Sequence, residues 1–286
     1  MTILYYNGKF LPEDQVTVPV SDRGFLYGDG LFETILVHQG RPFRWAEHLA
    51  RFQRGSDHLQ IALPVPVGTL TRIAQQVIRE NRAQEGVLRI LLSRGSGPRG
   101  YSPRGAEKPN LLISISPLTT AAAAERPWRL KTASLRVASR QELSKHKTLS
   151  RLTCVMARAE AENAGAHEAL ILNTDGDVAE AASGNLFWIE NDRVCTPPLE
   201  SGALAGVTRE LVLELCNENK ITASERSCPP ATLLKATGVF LTFSSRGLVE
   251  VDSIDEHPIS RSPLLAKLRA LYQAELEREC PVGGHA

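Results

Sequence analysis

Residues 119–126 read TTAAAAER, a low-complexity run that ends at Pro127 and divides two stretches in which strand and helix patterns alternate. Before it, ILYYNGKFL predicts a strand, an Asn7-Gly8 turn and a returning strand. LFETILVHQG alternates and stops at Gly40, as a strand does. RWAEHLARFQRGSDHL spaces Trp45, Leu49, Phe52 and Leu59 as one helix would, and VGTLTRIAQQVIRENR is a second amphipathic helix. GVLRILLSRG and NLLISISPL read as two more strands. Beyond the run, PWRLKTASLRV, EALILN, GNLFWIE and GVFLTFSS are strand-like. LSRLTCVMARAEAENA puts Leu149, Leu152, Met156 and Ala159 on one helical stripe of the kind that faces a core. GVTRELVLELCNEN and SPLLAKLRALYQAELERE are further helices, and no internal repeat is visible. The pattern predicts a smaller α+β domain over 1–118, a linker at 119–126 and a larger α/β domain over 127–286.

Composition removes several function classes. Thirty-three basic side chains face thirty-two acidic ones, without the basic excess of a general nucleic-acid binder. Five cysteines at irregular gaps, with no C-x-x-C, fit a reducing cytoplasm better than a disulfide framework or a zinc site. No two of the seven histidines stand in H-x-x-x-H spacing, so no metal site is expected. The opening MTILYYNGKF lacks a basic stretch before an apolar run, and no window approaches ~18 apolar residues. Neither a signal peptide nor a membrane span is expected.

Five short stretches can carry chemistry. Lys147, in HKTLSR, stands between a strand and a helix start, where a lysine can act as an anchored amine. Glu180 opens VAEAASGNLFWIE, with Asn185 after a run of small residues that lets backbone approach a flat ligand. Gly206, Val207 and Thr208 open a helix, whose free N–H groups and dipole suit a phosphate. Ser244 and Ser245 end a strand, and Arg51 is the cation upstream. Read singly, each is an ordinary surface group. A long loop, SRGSGPRGYSPRG at 93–105, spaces Arg94, Arg99 and Arg104 five apart between two strands. Loops of that length are often functional.

Taken in order, Arg51, Lys147, Glu180 with Asn185, Gly206-Val207-Thr208 and Ser244-Ser245 resemble the class IV (fold type IV) pyridoxal-phosphate enzymes. That family includes branched-chain and D-amino-acid transaminases and 4-amino-4-deoxychorismate lyase. The resemblance runs from YYNGKF and SDRGFLYGDGLFETI to the last helix. It implies pyridoxal 5'-phosphate as cofactor, held between two domains, the second a pseudo-barrel, and a homodimer. It implies Lys147 as the Schiff-base lysine and Glu180 as the pyridinium partner. Arg51, Val207 and Thr208 would hold the phosphate, with Ser244 or Ser245 assisting. In the lyases the lysine stands four positions before an Arg-Leu pair, here Arg151-Leu152, so Lys147 rather than Lys145 is implied.

Three departures bear on the member. Branched-chain transaminases carry a tyrosine five residues after the lysine, where this chain has Leu152. D-amino-acid transaminases carry Arg-x-His in the long loop, where this chain has Arg99-Gly100-Tyr101, and a tyrosine where it has Phe32. RGSGPRGYS is similar to the loop of the lyases. The resemblance therefore implies elimination of pyruvate from aminodeoxychorismate to give 4-aminobenzoate, with Arg99, Tyr101 and Phe32 on the substrate side. An arginine there can grip a carboxylate with two parallel hydrogen bonds. A transaminase is the second reading, since Glu33 and the RG-x-x-PR run occur there too. A non-catalytic or nucleic-acid-binding protein using the Arg/Gly loop is the third, opposed by the neutral charge and the intact lysine–glutamate set.

Overall fold

The computed structural model of the chain describes residues 1–118 and 126–282. Of the linker expected at 119–126, only Arg126 lies within the described residues. The chain forms two compact units, one of Met1–Thr119, His146–Arg151 and Leu276–Ala286, the other of Thr120–Lys145 and Leu152–Glu275. This differs from the expected domain over 127–286, because two of its segments, including the one with Lys147, join the first unit. Hydrogen bonds explain both. Phe32 N–H donates to Lys147 O and Leu149 N–H to Gly30 O, each at 2.9 Å. At the chain's end Glu279 accepts from Arg44 N–H at 3.1 Å, and Cys280 Sγ lies 3.7 Å from Arg41 O.

The first unit contains β1 (Ile3–Tyr6), β2 (Lys9–Pro12), α1 (Arg23–Tyr27), β3 (Gly30–His38), β4 (Arg41–Pro42), α2 (Trp45–Leu59), α3 (Val67–Glu80), β5 (Gly86–Ser93) and β6 (Asn110–Ser116). Its six strands run in the order β2-β1-β6-β5-β3-β4, all antiparallel. The β1–β2 turn uses left-handed Asn7 and Gly8, at φ 45° and 92°, as a two-residue hairpin demands. Because side chains alternate along a strand, one sheet face carries Leu31, Ile35, Leu88, Ile90 and Ile113. These residues form a single core with Phe52 of α2 and Leu70, Ile73 and Val77 of α3. The other face, with Phe32, Thr34, Leu91, Leu112 and Ser114, is only half-buried.

The second unit contains β7 (Trp128–Val137), α4 (Leu152–Asn163), β8 (Glu168–Asn173), β9 (Val178–Ala181), β10 (Asn185–Glu190), β11 (Arg193–Thr196), α5 (Val207–Glu218), β12 (Ala223–Glu225), α6 (Pro230–Leu233), β13 (Gly238–Phe243), β14 (Gly247–Ile254) and β15 (His257–Pro258). The closing helix α7 (Pro263–Glu279) follows. The strands run β12-β11-β10-β13-β14-β7-β8-β9, with β15 beside β14. β7 pairs parallel with both β8 and β14. β9 and β10 stand far apart in that order, yet a tight turn joins them, with Ala181 N–H donating to Gly184 O at 2.8 Å. The sheet must therefore curl, and it forms the half-barrel of a mixed α/β unit. β8 and β13 are buried at every residue, which is why EALILN and GVFLTF read as runs rather than alternations.

The stripe expected to bury α4 does not do so. Leu152, Val155 and Met156 are 71%, 59% and 53% exposed, and Leu149 precedes the helix. The buried residues are Ala157 and Ala161, which pack on Ala133, Ala169 and Ile171. Alanines let the helix sit close on β7 and β8, and the larger side chains turn outward. Among the described residues no helix is long and apolar enough to cross a membrane, and no cluster of three His, Cys, Asp or Glu could hold a metal ion.

Enlarging the alanine contact should strain it. Ala157→Leu should cost about 1–3 kcal/mol by overpacking, read as a lower urea midpoint. An unchanged midpoint would contradict the close packing of α4 on β7 and β8.

Candidate active site

Lys147 sits in a short extended segment bound along β3, with Leu31 and Thr148 forming an isolated bridge. The close approach needs Gly30, since a Cβ there would fall 2.3 Å from Leu92 O and 2.6 Å from Leu149 Cδ1. Arg151 clasps the segment: Nε donates to Thr148 O and Nη2 to His146 O, both at 3.1 Å. The carbonyls on either side of Lys147 are thus held by one guanidinium. The Lys147 ammonium lies 4.5 Å from the centre of the Phe32 ring. Lys145 belongs to the second unit and pairs with Glu142 at 2.8 Å.

Arg51 is not on a solvated face. Period two aims Glu33 of β3 at α2, and one helical turn brings His48 and Arg51 to meet it. Arg51 Nε and Nη2 donate to the two Glu33 oxygens at 2.8 and 2.6 Å, and His48 Nδ1 lies 2.7 Å from Oε2. All three side chains are buried. Burial raises the Glu33 pKa, but Arg51 and His48 outweigh it and bring the carboxyl to about 2. Burial lowers the His48 pKa against the pull of Glu33, with Arg51 and Lys147 adding to the lowering. The set is an ion pair of Glu33 and Arg51 beside a neutral imidazole.

The three loop arginines separate by role. Arg94 donates to Asp29 at 2.8 Å, to Leu59 O at 2.7 Å and to Gln60 O at 3.1 Å, so it ties the strand end to α2. Arg99 and Arg104 are exposed, as is Tyr101. The loop takes its shape from Arg23, which is buried and donates to the carbonyls of Gly100, Tyr101 and Ser102 at 2.9, 3.2 and 3.1 Å. Asp29 anchors that guanidinium through Nε at 2.8 Å. Asp22 caps α1 and accepts from Ser93 and Asn110, each at 2.6 Å, which joins α1 to the two strands flanking the loop.

In the second unit Glu180 is the third of the four residues of β9 and Asn185 starts β10. Asn185 Nδ2 donates to Glu180 Oε2 at 3.2 Å and to Leu204 O at 2.9 Å, and Leu204 N–H donates to the same carboxylate oxygen at 2.9 Å. Gly206 caps α5 without a side-chain bond, and a Cβ there would stand 1.9 Å from Asn185 Oδ1. Val207 and Thr208, both buried, begin the helix, where N–H groups and dipole favour an anion. Thr242 stands opposite Asn185 in the β10–β13 ladder, and its buried Oγ1 has no hydrogen-bond partner among the described residues. Ser244 and Ser245 are half-buried in the turn after β13. A carboxylate oriented by Asn185 Nδ2 and Leu204 N–H, a helix start with no side-chain cap and an orphaned hydroxyl form a set that fits a phosphorylated heteroaromatic ring.

Of the residues singled out by sequence, Phe32, Arg51, Arg99, Tyr101 and Lys147 fall in the first unit. Glu180, Asn185, Val207, Thr208, Ser244 and Ser245 fall in the second. Within them Phe32 meets Lys147, and Asn185 links Glu180 to the start of α5. Sequence reasoning missed His48 and Glu33 as partners of Arg51, Arg23 as the loop's support, and Thr242. The three-residue spacing of His48 and Arg51 was the available signal for the first set.

A sequence model described as Amino-transferase class IV matches residues 30–254. The chain is 32% identical over 258 residues to a Methanocaldococcus jannaschii protein named "Putative branched-chain-amino-acid aminotransferase", covering 90% of this chain and 89% of that one. It is 33% identical over 242 residues to an aminodeoxychorismate lyase of Vibrio harveyi, covering 84% and 88%. The solved 4-amino-4-deoxychorismate lyase of Pseudomonas aeruginosa superposes with a TM-score of 0.84 at 32% identity, covering 96% of this chain and 98% of that one.

The buried Glu33 set should make the protein acid-labile. Both pKa values are depressed in the fold, so the unfolded chain binds more protons and stability falls as pH falls. The loss should begin below the ordinary histidine value of 6.5 and continue from 4.5 down to about 2 as Glu33 protonates. Glu33→Gln leaves Arg51 buried without its counter-charge and should cost about 3–5 kcal/mol at neutral pH. Denaturation midpoints across pH check this; a variant matching the parent at pH 7 contradicts it.

Proposed function

Because the chain belongs to the class IV amino-transferase family, we propose that it is a pyridoxal 5'-phosphate enzyme and, within the family, a 4-amino-4-deoxychorismate lyase. The family depends on that cofactor. The observation that carries the reading is the Arg151 clasp on both sides of Lys147, which presents one lysine, and not Lys145, as a fixed amine.

Bound pyridoxal phosphate supplies a protonated ring that takes up electrons from the substrate's amine-bearing carbon. Lys147 would hold the cofactor through its amine and would move the proton at the substrate's amine-bearing carbon. Glu180, oriented by Asn185 and Leu204 N–H, keeps the ring nitrogen protonated. Val207 and Thr208 N–H groups hold the phosphate, with Arg51 and Ser244 or Ser245. Glu33 fixes the Arg51 guanidinium for that role. Arg99 grips a substrate carboxylate, and Phe32 and Tyr101 shape its surroundings. The enolpyruvyl ether leaves as pyruvate, and the remaining ring becomes aromatic 4-aminobenzoate. The lyase is supported over a branched-chain transaminase by Leu152, exposed where those enzymes carry a tyrosine.

The second reading is an aminotransferase acting on branched-chain or D-amino acids. It is favoured by the similarity to the archaeal relative and uses the same lysine, glutamate and phosphate groups. The assembly in either reading is a homodimer, supported by the exposed Leu152, Val155 and Met156; a single chain of 31.3 kDa in sedimentation would remove it.

Product analysis separates the readings. The lyase should release equal amounts of pyruvate and 4-aminobenzoate from aminodeoxychorismate with no 2-oxoacid present. Arg99→Lys should lower kcat/KM about tenfold or more by losing the planar fork, with the cofactor spectrum unchanged. Amino-group exchange between D-alanine or leucine and 2-oxoglutarate, without 4-aminobenzoate, would replace the lyase by the transaminase.

A further inference from the structure

Glu168 opens β8 and is completely buried, yet it lies outside the set of residues assigned to the site. Its Oε1 accepts from Ala169 N–H at 2.8 Å. Its Oε2 accepts from Arg158 Nη1 of α4 at 2.8 Å and from the Ser183 hydroxyl. Ser183 lies in the β9–β10 turn, between Glu180 and Asn185. The residues between those two are Ala181, Ala182, Ser183 and Gly184, so Ser183 brings the turn's one polar side chain. The turn extends the β8–β9 ladder, with Ala182 N–H donating to Ala169 O at 3.1 Å. On its other side it lies against β13, since a Cβ on Gly184 would stand 2.7 Å from both Phe243 Cε1 and Thr242 O. Between β13 and the Glu168 carboxylate the turn has little room to shift. A neutral side chain at 168 could accept the serine proton at a lower desolvation cost. A carboxylate paired with an arginine gives stronger, charge-assisted bonds, while such a pair adds little net stability. What the charge contributes here is orientation.

We infer that Glu168, braced by Arg158, is a positioning residue for Glu180. Through Ser183 it holds the β9–β10 turn, and the turn sets where Asn185 Nδ2 meets the Glu180 carboxylate, 3.2 Å away. The inference rests on the reading of Glu180 as partner of the cofactor's ring nitrogen, and it is the same for a lyase and an aminotransferase. Asn185 is two residues from Ser183, so a turn that slips moves the amide that orients the carboxylate. Asn185 also donates to Leu204 O at 2.9 Å, and hydrogen bonds weaken steeply as their angles close, so a displaced amide cannot keep both partners. Glu168 touches neither cofactor nor substrate in this scheme. It acts on the ring nitrogen through Ser183, Asn185 and Glu180.

Titration of the cofactor-free full chain with pyridoxal 5'-phosphate and with 1-deazapyridoxal 5'-phosphate, followed by the absorbance of the bound aldehyde, tests this. The second compound has carbon where the first has the ring nitrogen, so it has no proton there for Glu180 to hold. Ser183→Ala should weaken pyridoxal phosphate about three- to tenfold, the range of one hydrogen bond, and leave the deaza compound unchanged. Glu168→Gln should show the same selectivity. If that variant does not fold, Ser183→Ala decides, since Ser183 is exposed and its loss should not move the urea midpoint. Glu180→Gln is the control and should weaken pyridoxal phosphate alone, by about tenfold or more. A Ser183→Ala variant that weakens both compounds alike, as a merely structural tether would, or that weakens neither, overturns the inference. If Glu180→Gln is selective and Ser183→Ala is not, the reading of Glu180 stands and the role of Glu168 falls. If Glu180→Gln is not selective, that reading falls and the role of Glu168 falls with it.

Discussion

The two backbone hydrogen bonds between residues 147–149 and the start of β3 are the constraint on which the candidate site depends. They bind the lysine segment to the start of a strand that β5 pairs from Gly30 to Val37 and that β4 pairs at Val37 and His38. Once Phe32 N–H and Gly30 O are used this way, residue 30 can have no side chain, and Lys147 is brought over the Phe32 ring. Arg151 then satisfies the carbonyls that the bend at 146–148 leaves without strand partners, which makes the segment one stiff unit. A catalytic amine gains from such stiffness, because a positioned base loses little entropy when it acts.

The same sheet shows how charge is managed on its two faces. Toward α2, buried Glu33 neutralises buried Arg51, and the neutral His48 approaches a further lone pair of the same carboxylate. Such a pair adds little net stability, but removing one partner is costly, so it fixes orientation more than it strengthens the fold. On the opposite face, the cations Arg89 and Lys147 share an aromatic ring. In the second unit, Glu180 accepts from Asn185 Nδ2 and Leu204 N–H, and the α5 start has no side-chain cap.

Strong local patterns were legible in the sequence. The Asn7-Gly8 hairpin, the amphipathic α3 and the Gly206 start of α5 follow from turn chemistry, periodicity and helix ends. β9 and β14 were not anticipated: VAEA is only four residues long, and GLVEVDSI interrupts its apolar run with Glu250 and Asp252. The α4 stripe misled because periodicity reports which face is apolar, not which face its own chain covers, and alanines marked the buried side. The order of Arg51, Lys147, Glu180 and Val207-Thr208 along the chain was readable as a set. Their partners were not, because Glu33 with His48, Arg23 with the carbonyls at 100–102, and Thr242 beside Asn185 meet only through the fold.

The account turns on one amine. Borohydride reduction of the purified holoenzyme, followed by proteolysis and mass mapping of the phosphopyridoxyl group, tests it most directly. The label should appear on the peptide containing Lys147 and be lost, along with the cofactor's absorbance, in Lys147→Ala, while Lys145→Ala keeps both. Label on Lys145, or a fully labelled Lys147→Ala variant, would contradict the account.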